Sequence, residues 1–202
     1  MKSARMMFLT VLAIFTLALA SPARAEEGTA ASGPESSRVQ NIQLSLFPPA
    51  QLFDDETSIK GFRLGLFSMN RNMTGFDVGL IPWTKSDLAA LQLGGVSVTG
   101  GNALGVQFNL ANIVSGEGVG WQSASLNLVM KDFVGFQNAF VNYGGGETVG
   151  LQLGLVNYSR KMVGVQFGGL NISSELHGIQ IGIVNVASNS SLPVLPIVNA
   201  KF

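Results

Sequence analysis

In GLQLGLVNYS (150–159), GVQFGGLNIS (164–173) and GIQIGIVNVA (178–187) apolar side chains fall at every second place. An alternation of two predicts β-strands with one buried face. With the leading Gly as place 1, places 2, 4 and 6 are apolar: Leu151, Leu153, Leu155; Val165 and Phe167, then Gly169; Ile179, Ile181, Ile183. Places 3 and 5 are polar or tiny: Gln152 and Gly154, Gln166 and Gly168, Gln180 and Gly182. The alternation predicts that the aliphatic places fill the interior and that the Gln places form an outer row. Place 8 is Asn, one more apolar residue follows, and a short polar piece (SRK, SSE, ASNSS) closes each unit as a turn.

The unit repeats along most of the chain. Frames open at residues 61, 75, 90, 105, 120, 135, 150, 164, 178 and 192, with an earlier copy, NIQLSLFP, at Asn41. Spacings of 14 or 15 residues hold throughout the frames from Gly61. Place 8 carries Asn112, Asn127, Asn142, Asn157, Asn171, Asn185 and Asn199. Repetition at so short a period is the mark of a stacked architecture. In a parallel β-solenoid with 14–15-residue coils, identical places stack about 4.8 Å apart. The seven Asn then form a structural ladder at a corner, and Gln152, Gln166 and Gln180 an outer one. The alternative is an antiparallel up-and-down β-barrel, possibly in an outer membrane, whose strands need about 9–11 residues. The solenoid accounts better for an Asn that returns at the same place each time. The class is all-β in either case. GWQSASLN and GFQNAFVN lose Gly at place 5 and carry polar residues at place 4, so a less uniform core is expected around 120–142.

The Gly-x-Gln-x-Gly-x-x-Asn array over residues 39–202 resembles the surface-repeat proteins of spirochaetes and other Gram-negative bacteria. The resemblance includes the opening IQLSLFPPAQLFDDETSIKGFRLGLF and the closing LPVLPIVN. It implies an exported, envelope-associated protein at the cell surface, in the outer membrane or in the periplasm. Many relatives of that kind look like lipoproteins, but this chain has no Cys and that attachment is closed to it.

Composition sharpens this reading. Lys2 and Arg5, the apolar run MMFLTVLAIFTLALA (6–20) and Ala23-Arg24-Ala25 predict a signal peptide over 1–25. Residues 26–38 predict a flexible tether, and 39–202 a β-repeat domain. Within it, 39–60 is expected to cap the N-terminal end, 61–191 to form the repeats, and the Pro-bearing 192–202 to cap the C-terminal end. Open solenoid ends are strand edges that invite self-association. The twelve basic residues include three in the signal segment and the twelve acidic ones none, so the mature chain is weakly acidic and unsuited to nucleic acid.

Catalytic and metal signals are sparse. One His (His177) and no Cys leave no nucleophile–base pair and no zinc set, so no cofactor is expected and the chain reads as a non-enzyme. Asp54-Asp55-Glu56 lacks the Asp/Gly spacing of a calcium loop and reads as a solvated loop. Arg63 and Asp77 take place 3 in adjacent units, which predicts an exposed ion pair of small worth. Gly144-Gly145-Gly146 reads as a turn, Trp121 as core, and His177 as a partly buried or rim residue. The expected function is structural or interactive, with an unidentified protein or envelope partner. A small outer-membrane barrel, or a ligand-binding module built on 120–146, are the other readings.

Overall fold

The computed structural model describes residues 38–202. The expected signal peptide and nearly all of the expected tether lie outside the described residues. Among the described residues the structure is all-β, without helix: a parallel β-solenoid of about eight turns with coils of about 15 residues. Eleven strands follow one another: β1 (Val39–Phe47), β2 (Ala50–Gln51), β3 (Ser58–Asn70), β4 (Met73–Thr84), β5 (Leu88–Thr99), β6 (Ala103–Val114), β7 (Gly118–Ser123), β8 (Leu126–Val129), β9 (Phe133–Asn138), β10 (Val141–Ala187) and β11 (Val194–Lys201).

Registers run from like place to like place. Gly61 faces Gly75, Gln92 faces Gln107 and Asn112 faces Asn127, all in parallel. The early copy joins the same stack, with Gln43 beside Arg63. Parallel pairing overturns the barrel alternative. A meander would set each strand against the reverse of its neighbour, whereas here every coil lies on the coil before it.

Each coil is a flattened loop, clearest where the strand breaks. β7 and β9 carry the places up to 4, β8 and the start of β10 carry places 7–10, and a bend at 124–125 or 139–140 joins them. The opposite edge is the polar turn at places 11–13. At the bend, backbone amides are handed from coil to coil: Ala124 N–H donates to Asn138 O at 2.9 Å, Ser125 N–H to Leu110 O at 2.9 Å and Val156 N–H to Phe140 O at 2.9 Å. The irregularity expected around 120–142 is thus confined to these bends.

Place 1 shows why Gly recurs. Gly150 has φ 132°, and a Cβ there would lie 2.0 Å from Gly135 O in the coil below. No side chain fits a backbone that stacks at strand spacing in that conformation.

The two ends are finished differently. β2 turns back antiparallel along part of β1. β11 lies antiparallel to β10, from Gly178 beside Lys201 to Val186 beside Val194. The frame at Leu192 is therefore not another coil but a reversed strand across the last one. Gly145 and Gly146, expected as a turn, stand at places 11 and 12 on the turn edge, through which β10 runs without a break.

The faces are inverted relative to the sequence expectation. Gln92, Gln137, Gln152, Gln166 and Gln180 have no exposed surface, and neither have Asn112, Asn127, Asn142, Asn157, Asn171 and Asn185. The aliphatic places 2, 4 and 6 point out: Leu110 is 63% exposed, Leu155 62% and Ile183 77%. Alternation tells which residues share a face and not which face is inside. A parallel stack can bury amides at little cost because, inside the ladder, each meets its own kind above and below; at the end of the Gln row Gln180 Oε1 is left without a partner. The apolar part of the interior is narrow. Ile59, Met73, Leu88, Ala103, Val114, Val129 and Phe133 form one cluster and Met162, Leu176 and Ala187 a second. Apart from Ala90 at place 1, which belongs to the first cluster, their members lie at place 10 or two residues before a frame, behind the polar turn.

Candidate functional site

The interior ladders and the outer perimeter are the features that set this solenoid apart. In the Asn ladder, Asn112 Nδ2 donates to Asn127 Oδ1 at 2.8 Å, Asn127 to Asn142 at 3.0 Å, Asn142 to Asn157 at 2.9 Å, and Asn157 to Asn171 and Asn171 to Asn185 at 2.8 Å. Every donor points toward the C-terminal end. The ladder stands in the interior, as a row of amides bonded from coil to coil. The seventh expected member, Asn199, is outside it: it lies across from Gln180 on the reversed β11, and neither of its amide atoms has a partner.

The Gln ladder runs the other way. Gln180 Nε2 donates to Gln166 Oε1 at 2.8 Å, Gln166 to Gln152 at 2.7 Å, Gln152 to Gln137 at 2.8 Å, Gln137 to Gln122 at 2.9 Å, and Gln122 to Gln107 and Gln107 to Gln92 at 2.8 Å. It is an inner ladder, not the expected outer one. With donors opposed, the amide dipoles of the two ladders cancel along the axis.

The Gln ladder ends on a charge. Gln92 Nε2 donates to Asp77 Oδ2 at 2.7 Å, and Arg63 grips the same carboxylate through Nε at 2.8 Å and Nη2 at 2.7 Å. Arg63 Nη2 also donates to Thr84 Oγ1 at 3.0 Å. Both side chains are fully buried. The pair expected at the surface is thus an interior one, because place 3 points inward. A carboxylate only accepts, so it terminates a donor chain without leaving an orphan.

Outside, the charges collect on one edge. From Gly61 to Ala187 every charged residue except Arg63 and Asp77 stands at places 11–13: Arg71, Lys85, Asp87, Glu117, Lys131, Asp132, Glu147, Arg160, Lys161 and Glu175. Asp87, Asn102 and Asp132 each accept a backbone N–H one coil on, at 2.7–2.9 Å. Over places 2, 4, 6, 7 and 9 of those coils, only Ser123, Ser125 and Asn138 are polar beside the indole and phenol groups. Trp121, expected in the core, is 43% exposed and stands in a row with Phe108 and Phe136 at ring distances of 5.1 and 5.7 Å. An apolar groove of about 840 Å³ opens at the bend of the N-terminal coils, between Leu46 and Leu52 on one side and Leu66, Leu80 and Leu110 on the other.

The remaining candidates do not converge. His177 is exposed, as a rim residue should be. Lys85 Nζ lies 2.6 Å from Asp55 and 2.5 Å from Glu56. Partial burial would lower the Lys85 pKa, but the hydrogen bonds to these carboxylates outweigh it and raise it. Asp54 is held below the usual carboxylate range, chiefly by the Thr57 hydroxyl. No cluster of metal-ligating side chains occurs among the described residues.

The sequence reading missed the apolar column two residues before most frames (Ile59, Met73, Leu88, Phe133), which Gly118 and Thr148 interrupt. Its signal was there, since an apolar residue recurs next to the polar turn. The chain matches no family model, no curated protein and no solved structure.

Proposed function

We propose that the chain is a non-catalytic, exported repeat protein of a Gram-negative cell envelope, with a structural or interaction role. One observation carries this reading. The polar side chains that could do chemistry are locked in interior ladders, and the perimeter offers only a continuous apolar surface and one charged edge. Such a surface exists to be covered. The predicted signal segment and the resemblance to envelope repeat proteins point to the same compartment.

The test is to produce the full chain in a Gram-negative host and separate cytosol, periplasm and membranes. The expected result is recovery of a shortened chain, cut after Ala25, outside the cytosol. Recovery of the uncut chain in the cytosol would overturn the proposal.

A further inference from the structure

We infer that the solenoid lies half-sunk in one leaflet of a lipid bilayer, its axis in the membrane plane, the bend edge among the acyl chains and the charged edge in water. The inference rests on the envelope reading above and names the partner.

The cross-section changes character along its height. At the turn edge the arrangement is that of a water-soluble protein: charges outside, and Met73, Leu88, Phe133 and Met162 inside. At the bend it is reversed: Leu110, Phe140, Leu155 and Ile183 outside, Gln and Asn ladders inside. Water suits the first half and hydrocarbon the second. Hydrocarbon demands that backbone polar groups be met within the protein. The inter-coil hydrogen bonds of Ala124, Ser125, Ala139 and Val156 do this at the bend itself. The one pair of charges at bend height, Arg63 and Asp77, is enclosed and mutually bonded.

The transition has a marker. The bend falls between places 5 and 6, so places 2 and 9 stand at one height on the two faces. All four Trp and Tyr residues of the chain occupy that height: Trp121 at place 2, and Trp83, Tyr143 and Tyr158 at place 9. Three to four residues of strand put them about 12 Å from the bend. Half of a hydrocarbon core is about 15 Å. Amphipathic aromatic rings collect at that boundary.

A second copy fits the surface less well. Eight turns from Gly61 to Gly178 span roughly 38 Å, and a strand of six residues about 20 Å, so each outward face is roughly 750 Å². One face would supply a dimer of standard size, which needs about 800 Å² from each partner. The opposite face and the bend would stay bare, beyond what a soluble monomer exposes. Acyl chains cover both faces and the bend together, and the groove between Leu46 and Leu80 has the apolar lining that an alkyl chain requires.

The test uses the full chain, purified in dodecyl maltoside and freed of detergent with or without vesicles of phosphatidylethanolamine and phosphatidylglycerol. Since the chain has no Cys, Leu155→Cys and Glu117→Cys place single nitrobenzoxadiazole labels at the bend and at the charged edge. The expected result is flotation with vesicles that survives 1 M salt, within about a Debye length of 3 Å. The label at residue 155 should shift to the blue and be quenched several-fold by brominated acyl chains, and that at residue 117 should do neither. Leu110→Asp with Leu155→Asp should abolish flotation while circular dichroism stays β-rich, because both side chains point outward. Three results would overturn the inference: a folded chain that remains monomeric in buffer and does not float, a discrete dimer in place of flotation, or equal quenching at both labels. A chain exported but absent from membranes would overturn this inference and leave the envelope reading standing; a cytosolic chain would remove the reading beneath it.

Discussion

At the scale of single residues, the interior inverts the usual ranking of substitutions. Gln152 donates to Gln137 and accepts from Gln166 and from Ser159 Oγ at 3.1 Å. Gln152→Leu adds apolar bulk but strands those partners, at about 1–3 kcal/mol for each buried group left unpaired. Leu155→Gln, three places on, changes a side chain that already faces out. In detergent, urea midpoints should fall clearly for Gln152→Leu and little for Leu155→Gln. The opposite order would mean that the aliphatic face is the interior. The Arg63–Asp77 pair makes a second case. Removing one partner leaves a buried charge, so Arg63→Met should cost about 3–5 kcal/mol. Arg63→Met with Asp77→Leu should recover much of that loss, as judged from the same midpoints, although Gln92 Nε2 loses its acceptor in the double variant. A double variant as weak as the sum of the two single ones would show no coupling between them.

At the scale of the element, the frame Gly is the tightest constraint. In Gly150→Ala the new Cβ meets Gly135 O at 2.0 Å, and the backbone at φ 132° is one that side chains rarely adopt. Strain of about 1–3 kcal/mol from the backbone alone adds to that clash, so Gly150→Ala should open β10 locally. Hydrogen exchange should quicken at residues 148–154 before it quickens at 61–80. Uniform exchange across the coils would speak against a local constraint. The strand, the parallel stacking and the polar turn were legible from period and frame, whereas the bend at places 5 and 6 that folds each coil into two faces was not. Which face is inside was not, because alternation is symmetric and the expectation that aliphatic residues are buried decided it wrongly. Two signals in the sequence favoured the other answer. Charges avoid every outward place except 11–13, and Arg63 and Asp77 replace Gln side by side, as members of an interior column must if both are to be paired. The same inversion explains why place 7, with Val156, Leu170 and Val184, stays apolar on a strand whose outward face was expected to be polar.

At the scale of the molecule, the question is what stops the stack from growing. The C-terminal edge of β10 is covered by β11, in which Pro196 withholds an amide, as does Pro193 just before it, and Ile197 adopts φ 69° where the register shifts. Such bulges and prolines blunt an edge. Deleting residues 192–202 should expose the amides and carbonyls of Gly178–Val186 and remove the acceptor Leu195 O from Asn185. The N-terminal end keeps β1 and its partial cover β2, so only one end of each molecule opens. Two open ends of the same kind pair with each other and close the assembly, which makes a dimer and not a fibre. Deleting residues 38–57 as well opens both ends of each molecule. A C-terminal edge can then meet the N-terminal edge of the next copy in parallel, setting Gln180 against Arg63 and Asn185 against Ser68 across the junction. That contact is heterologous and does not close, so filaments should form. Light scattering in detergent distinguishes the cases: a doubled mass for the single deletion, and a mass that rises with concentration for the double one, with rods visible by electron microscopy. A single deletion that stays folded and monomeric would show that β11 is not what terminates the stack.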